Sequence, residues 1–225
     1  MASIYEQALG ESYHRLHPRI RERFGFSSRD KIASIGTGIM NRVWHNRIVS
    51  LALRLGMTRH IMFPNSGRDI PFTIENYAFV DRYGRETVSW IRKFKFKRAI
   101  RHFDATMIYS SERQGIVDYL GNKQHLAVDL HISAAPNGGI RIVSGEQRFY
   151  EGPFGFRIPR LLTGTAEVIE WFDDAINRYR ISVRVLNPII GTVFRYEGTF
   201  EARMVDASAA DIPIDVKPLR EEARE

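Results

Sequence analysis

The sequence predicts a mainly β, β-rich α+β fold: an antiparallel β-barrel or strongly curved sheet, lipocalin-like or helix-grip-like, with two or three N-terminal helices. Apolar and polar residues alternate over most of the chain between Asp69 and Met204, and a period of two is typical of strands with one buried face. Turn sequences separate these stretches, such as Pro-Asn-Gly-Gly at 136–139,. Aromatic residues make up 12% of the chain, and they favour strands.

The clearest hairpin covers residues 178–204. Tyr179, Ile181 and Val183 alternate with polar residues in its first half, and aromatic residues alternate with charged ones in its second half. Asn187 and Pro188 end the first strand, because proline cannot donate a hydrogen bond to a neighbouring strand. The two halves therefore form adjacent antiparallel strands.

Composition indicates one domain over residues 1–204, followed by a flexible polar tail over 205–225. A chain of 225 residues with 44% hydrophobic content can bury a full core,. The absence of cysteine excludes disulfides and thiolate metal sites,. With no signal-peptide pattern and no long apolar run, we expect a cytoplasmic protein. The net charge is +7, but the bases are scattered, so a nucleic-acid partner is not expected.

The N-terminal region predicts two short helices, Ser3–Gly10 and Ser12–Phe24. Ser3 and Glu6 fit a capping box, and Pro18 bends or restarts the second helix,. A strand over Ile32–Met40 follows. It contains a Gly-Thr-Gly sequence that lacks the third glycine of a dinucleotide-binding loop, so we reject that motif,.

Trp44–Gly56 has the spacing of an amphipathic helix. Its apolar face contains Ile48, Leu51 and Leu55, and arginines flank it,. One interpretation is a helix that packs on the sheet or plugs the end of a barrel, which the additional apolar residues of the segment favour. The alternative is a basic helix that contacts an anionic membrane surface through residues 42–60.

The remaining chain predicts about nine strands in an antiparallel meander,. A meander of this length splits into a sandwich or closes on itself, because open edges invite aggregation. The predicted strands are Ile70–Val80, Glu86–Phe96, Arg98–Ser110, Gly115–Leu120, His125–Ala134, Ile140–Glu151, Thr165–Phe172, Arg178–Leu186 and Gly191–Met204.

The candidate site consists of charged residues that share a strand face with apolar residues. Arg92 shares a strand face with Trp90 and Phe94, and a buried guanidinium needs a carboxylate partner. Glu146 and Glu170 also share a strand face with apolar residues and are the candidate carboxylate partners of Arg92. The candidate catalytic residues are Arg92, Glu146 and Glu170. The candidate ligand-binding residues are Trp90, Arg92, Phe94, Met107, Glu146, Arg148, Glu170 and Tyr196. The alternative is a structural ion pair, or a face exposed to solvent.

No metal and no cofactor are expected. His125, Asp129 and His131 occupy alternate positions of one strand, a pattern that could ligate a metal,. We interpret His131 as a solvated residue of the polar face. The other histidines are scattered, and no hydroxyl lies in a nucleophile elbow,.

Several stretches resemble a known family. They are HRLHPRIRERFG, FDATMIYS, IVDYLGNKQHLAVDL, SGEQRFYEG, AEVIEW and NPIIGTVFRYEGTF. In this order, over roughly residues 4–204, they resemble a bacterial family known only as a domain of unknown function. That family also forms the C-terminal part of longer proteins whose N-terminal part resembles saccharopine dehydrogenase. The resemblance implies a β-rich domain and a possible saccharopine-dehydrogenase-like partner, and it supplies no activity.

Three functions are compatible with these observations. The first is binding of a small hydrophobic molecule, such as a lipid, terpenoid or polyketide, in an aromatic-lined barrel interior. The second is a cofactor-independent cyclase or isomerase that uses the same cavity. The third is a basic interaction module at a membrane surface or on nucleic acid. The first two predict a cavity behind Trp90, Phe94 and Tyr196.

Overall fold

The computed structural model describes residues 2–208 and 212–225. Three short α-helices lie in its N-terminal region: α1 (Ile4–Leu9), α2 (Pro18–Phe24) and α3 (Ser50–Met57). No helix among the described residues is long and apolar enough to cross a membrane. Short 3-10 segments are Gly10–Arg15, Ser28–Asp30, Arg47–Val49, Arg160–Leu162 and Ile214–Val216.

Strands make up most of the described chain. They are β1 (Ile32–His45), β2 (Gly67–Val80), β3 (Glu86–Phe96), β4 (Ala99–His102), β5 (Ala105–Ser110), β6 (Gly115–Leu120), β7 (Leu126–Ala134), β8 (Ile140–Glu151), β9 (Phe154–Arg157), β10 (Thr165–Asp173), β11 (Arg178–Asn187) and β12 (Gly191–Asp206). The bounds of β3, β6 and β8 coincide with the predicted ones. The segment predicted as one strand, Arg98–Ser110, is divided into β4 and β5, and β9 was not predicted.

The sheet closes into an antiparallel barrel. The hydrogen-bonded order is β10-β11-β12-β1-β2-β3-β5-β6-β7-β8, and β10 pairs with β8 to complete a ring of ten strands. Glu167 lies opposite Val143 at this closure. The strands β4 and β9 extend from β3 and β8 outside the ring. The predicted mainly β barrel with N-terminal helices is therefore confirmed.

The alternation predicted for the last hairpin sets the inner face of the barrel. Ile181 and Val183 of β11 are buried, as are Phe194, Tyr196 and Phe200 of β12. These side chains join one large core with inward residues of the other strands and with the N-terminal helices. The period of two thus places the core where the sequence indicates.

The two N-terminal helices cover one end of the barrel. The Ser3 side chain accepts a hydrogen bond from the backbone N–H of Glu6 and caps α1,. The predicted second helix is divided: a 3-10 turn comes first, and α2 begins at Pro18. Proline suits the first position of a helix because its missing N–H has no partner there. Ile4, Tyr5 and Ile20 bury their side chains in the core.

The predicted start of the helix at Trp44 is wrong. Trp44 and His45 continue β1, opposite Arg195 and Phe194 of β12. Asn46 then ends the strand, since its side chain accepts a hydrogen bond from the N–H of Ile48. The helix α3 begins only at Ser50. Hydrogen bonding to the neighbouring strand β12 therefore outweighs the helical spacing of the apolar residues in this segment.

Glycines allow β1 and β12 to approach each other closely. A Cβ atom on Gly38 would lie 2.0 Å from the carbonyl oxygen of Thr199, and one on Gly198 would lie 2.2 Å from that of Ile39. The sequence Gly36-Thr37-Gly38 therefore serves strand packing, in agreement with the rejection of a dinucleotide loop.

The described part of the C-terminal segment, 212–225, lies along the outer face of the barrel. Ile212 and Val216 pack with Tyr77, Phe79 and Ile91, which point outward from β2 and β3. The Ser89 hydroxyl also donates a hydrogen bond to the carbonyl of Val216, with an Oγ–O distance of 3.0 Å. These contacts differ from the loose tail that the sequence predicts.

Candidate functional site

The barrel contains a cavity of about 380 Å³. Its walls are mostly Val, Leu and Ile side chains that point inward from β6, β7, β8, β10 and β11. Val128, Leu130, Val168 and Val183 are examples. The volume lies within the range of about 300–1,000 Å³ that is typical of small-molecule sites.

The first N-terminal helix closes one end of the cavity. Trp90 and Met107 line the cavity, and both are hydrogen-bonded to Tyr5 of α1. The Trp90 indole N–H donates to the Tyr5 hydroxyl at 2.7 Å, and that hydroxyl donates to the Met107 sulfur at 3.3 Å. Burial raises the pKa of Tyr5 well above its usual value, so the phenol stays neutral.

Three segments surround the other end. Val49, Ala52 and Leu53 come from the region of α3, Leu161 and Leu162 from the turn before β10, and Asn187 and Ile190 from the β11–β12 connection. Leu161 and Leu162 line the cavity and are at the same time 60% and 78% exposed. This end is therefore the mouth of the cavity.

Most polar side chains of the cavity wall form hydrogen bonds with backbone groups. The Ser144 hydroxyl accepts from the N–H of Ala166 at 2.7 Å, and Gln147 donates to the carbonyl of Gly164 at 2.7 Å. Asn187 donates to two carbonyl groups near the mouth. Their hydrogen-bonding capacity is largely used in fixing strands and turns.

Arg92 lies in the cavity wall, as its phase on β3 predicts. Its side chain is buried, and Nε donates to the carbonyl of Phe103 at 2.7 Å. One Nη donates to the Tyr196 hydroxyl at 3.3 Å. The guanidinium also lies over the Phe103 ring, 3.9 Å from its centroid, in a cation–π contact,. No described residue accepts a hydrogen bond from its Nη2.

Asp118 is the carboxylate that the sequence analysis missed. It lines the cavity beside Arg92 and is buried, and its Oδ1 has no hydrogen-bond partner among the described residues. Burial raises its pKa to about 7, and the Arg92 charge opposes that rise. The signal was present: Ile116, Asp118 and Leu120 alternate on β6, so the acid is in phase with apolar residues.

Two predicted ligand-binding residues lie beside the cavity, in the aromatic core. Phe94 and Tyr196 pack edge to face with their centroids 5.0 Å apart, and both contact Phe72. Tyr196 reaches the cavity only through its hydroxyl contact with Arg92. Trp90, Arg92 and Met107 line the cavity directly.

The predicted inward position of Glu146 and Arg148 is wrong. Asp129 of β7 faces two residues of β8, Gly145 and Glu146, so a bulge reverses the phase of β8,. Gln147 consequently lines the cavity, whereas Glu146 and Arg148 point outward. Arg148 binds Asp129 at 2.6 Å and Glu146 at 3.1 Å. These two residues form an ion-pair network on the outer wall, and neither can pair with Arg92.

Glu170 points inward as predicted but pairs with a different arginine. Its carboxylate accepts a hydrogen bond from Nε of Arg23 on α2, and both side chains are fully buried. Arg23 also donates to the Ser34 hydroxyl at 2.6 Å. Burial raises the pKa of Glu170, and the Arg23 charge opposes that rise. The pair fixes α2 to the barrel and does not line the cavity.

His60, His102 and Asp104 are the described residues that could hold a metal ion, since their ligand atoms lie within 4.8 Å of one another. Their contacts are already mutual: Oδ2 of Asp104 is 2.6 Å from Nδ1 of His60 and 3.4 Å from that of His102. Burial alone would raise the pKa of Asp104. The hydrogen bonds from His102 and His60 outweigh this effect, so the pKa lies below its usual value. The three groups would have to separate to admit an ion.

The histidines considered in the sequence do not converge. His125 lies 2.9 Å from the carboxylate of Glu151. Asp129 binds Arg113 and Arg148, while the side chain of His131 is exposed. The exposed side chain of His131 fits its interpretation as a solvated residue of the polar face.

Comparisons with known proteins extend over most of the chain. The family model described as Domain of unknown function (DUF4166) matches residues 16–200. Uncharacterized protein YndH from Bacillus subtilis (strain 168) is 37% identical over 202 residues, which are 89% of this chain and 97% of that protein. No solved structure matches. The expected saccharopine-dehydrogenase-like partner stays a prediction. On the extent of both matches, the chain is a member of the DUF4166 family.

Proposed function

We propose that the barrel binds a small, mainly apolar molecule that carries one acidic head group. The observation that carries this proposal is a pair of charged side chains, Arg92 and Asp118, in a mainly apolar cavity of about 380 Å³. Apolar walls with a few convergent polar groups are typical of ligand sites. The walls would bury the body of the ligand, and the pair would fix its orientation.

Arg92 is suited to bind an acidic head group because only some of its N–H donors form hydrogen bonds within the protein. Nε and one Nη bond already have acceptors in the protein, and these hold the guanidinium in place. Its Nη2 has no acceptor among the described residues. A ligand carboxylate would accept this N–H, and hydrogen bonds between two charged groups are stronger than neutral ones. An unfilled donor in an apolar wall otherwise costs free energy.

Asp118 makes this recognition depend on pH. With a pKa of about 7, its carboxyl group is protonated in mildly acidic solution and can donate a hydrogen bond to the ligand. At higher pH it is negative and repels an anionic head group. Affinity for an acid should therefore fall as the pH rises through 7, whereas affinity for a neutral analogue should change less.

A displacement assay tests the proposal. Decanoic acid and decanol compete with the fluorescent probe N-phenylnaphthylamine for the purified protein. Ala166→Phe fills the cavity wall and should abolish displaceable probe binding. Thr165→Phe, one residue earlier on β10 with an exposed side chain, is the matched control and should bind the probe normally. Equal binding by both variants would place the probe outside the barrel.

The head group is tested with Arg92→Gln. This variant should lose at least about tenfold in affinity for decanoic acid, the size of one charge-assisted hydrogen bond, and keep its affinity for decanol. Circular dichroism and the melting temperature show whether it is folded. Equal losses for both compounds in a folded variant would contradict recognition of an acidic head group.

A second candidate function is proton transfer within a bound ligand, favoured by the pKa of about 7 at Asp118,. The Asp118 carboxylate would take a proton from the α-carbon of a β,γ-unsaturated ketone and return it to the γ-carbon, moving the double bond. Arg92 would stabilise the negative oxygen of the intermediate. Absorbance of the conjugated product measures turnover, which Asp118→Asn should abolish without loss of probe binding.

A further inference from the structure

We propose that the mouth of the cavity is a docking surface for the anionic face of a lipid bilayer. This inference rests on the proposed function for its purpose, since the ligand would pass between membrane and cavity. We define the mouth surface by the exposed apolar residues Ile48, Leu51, Leu55, Leu161, Leu162 and Ile189 and the arginines Arg47, Arg54 and Arg160.

The apolar residues around the mouth are unusually exposed. Ile48, Leu51 and Leu55 are 76%, 73% and 68% exposed, because α3 turns Leu53 toward the barrel. The face expected to pack on the barrel therefore points largely into solvent. Leu162 and Ile189, from the two other segments of the mouth, are 78% and 72% exposed. Clustered exposed apolar side chains mark an interaction site.

The same segments carry positive charge and no acid. Residues 42–68 contain five arginines, and neither Asp nor Glu occurs in 42–68, 152–166 or 183–196. The five arginines are Arg42, Arg47, Arg54, Arg59 and Arg68. Arg47, Arg54 and Arg160 are exposed, and none has an ion-pair partner among the described residues. The acids that balance charge elsewhere are missing here.

This combination fits a bilayer better than other partners. Anionic lipid attracts arginine near its surface, and apolar side chains enter the boundary between head groups and acyl chains. Nucleic acid would match the charge but leave the leucines in water. A second copy of the chain would bring two positive surfaces together. The opening of the cavity within this surface also gives an apolar ligand a path that avoids water.

Vesicle flotation tests the proposal with the full chain. Wild-type protein should float with phosphatidylcholine vesicles that contain phosphatidylglycerol, and not with pure phosphatidylcholine. Salt should weaken this binding. Arg47→Gln combined with Arg54→Gln should lower the partition coefficient by about thirty-fold. Leu51→Ser should lower it by about tenfold, since a leucine side chain is lost from the interface.

Matched controls lie at the opposite end of the barrel. Ile176, 43% exposed in the β10–β11 turn, and Arg203, exposed near the end of β12, offer the same residue types. Ile176→Ser and Arg203→Gln should float like wild type. Equal losses in the mouth and control variants, or binding to nucleic acid without vesicle binding, would overturn the proposal.

Probe binding without vesicles separates this inference from the proposed function. Leu51, Arg47 and Arg54 do not line the cavity, so their variants should bind N-phenylnaphthylamine normally. Intact probe binding with no flotation of wild type would overturn docking alone. Flotation lost in the mouth variants, with no probe binding by any form, would support docking and contradict the proposed function.

Discussion

Replacing Asp118 by asparagine should stabilise the protein at neutral to alkaline pH. Burial raises the pKa of this carboxyl from 3.8 to about 7 in the folded chain. Between those pH values the folded state holds a proton that the unfolded state releases, so stability falls as the pH rises. At about 1.4 kcal/mol per pH unit, ionised Asp118 costs the fold about 4 kcal/mol above pH 7.

The asparagine side chain has nearly the same shape and no charge. The variant should therefore exceed wild type in unfolding free energy by up to about 4 kcal/mol near pH 8, and this difference should decrease toward pH 4. Urea denaturation followed by tryptophan fluorescence measures both proteins across this range. Comparing variant with wild type at each pH removes the contribution of other titrating groups.

Asp206→Asn is the matched control, because Asp206 is exposed at the end of β12. As a substitution of an exposed side chain, it should change the unfolding free energy by no more than about 0.5 kcal/mol. An Asp118→Asn variant that is less stable than wild type near pH 8 would refute the reasoning. It would mean that Asp118 is ionised in the fold and that its attraction to Arg92 exceeds the cost of burial.

Three further predictions concern the fold. Glu170→Gln should lower the unfolding free energy by about 3–5 kcal/mol, because it leaves Arg23 buried without a counter-charge. Urea denaturation measures this loss, and a loss no larger than that of a surface substitution would contradict the prediction. Gly38→Ala should lower the melting temperature by several degrees, whereas Gly115→Ala, with ordinary space for a Cβ, should not. The backbone N–H of Leu219 donates to a backbone carbonyl at 2.8 Å, so it should be protected in hydrogen exchange. Rapid exchange of this amide would contradict the packing of the C-terminal segment and favour a flexible tail.

The sequence predicts strands such as β11 and β12 well because one face of each is buried,. Alternation over Arg178–Met204 identified β11, β12 and their inward side chains. The barrel closure, by contrast, depends on β10 meeting β8. That long-range pairing leaves no local signal. The C-terminal segment packs on outward residues such as Phe79 and Ile91, which alternation alone assigns to solvent.

The candidate site was predicted in part. Arg92 was found because a charge in phase with aromatic residues is conspicuous on a strand. Its carboxylate was assigned wrongly, since strict alternation in β8 cannot register the bulge at Gly145 and Glu146. Asp118 follows the same rule as Arg92, but β6 is a strand of only six residues, on which the alternation is short. Arg23 comes from a helix, where strand phase gives no information.

The most direct test of the central account is methyl NMR of the valine, leucine and isoleucine side chains during titration with decanoic acid. Val128, Val168 and Val183 line the cavity, while Val117 and Ile91 belong to clusters on the outer face. A ligand inside the barrel should shift the methyl signals of the first group in a saturable way and leave the second group unchanged. Shifts confined to the outer group, or no saturable shift at all, would contradict an interior binding site.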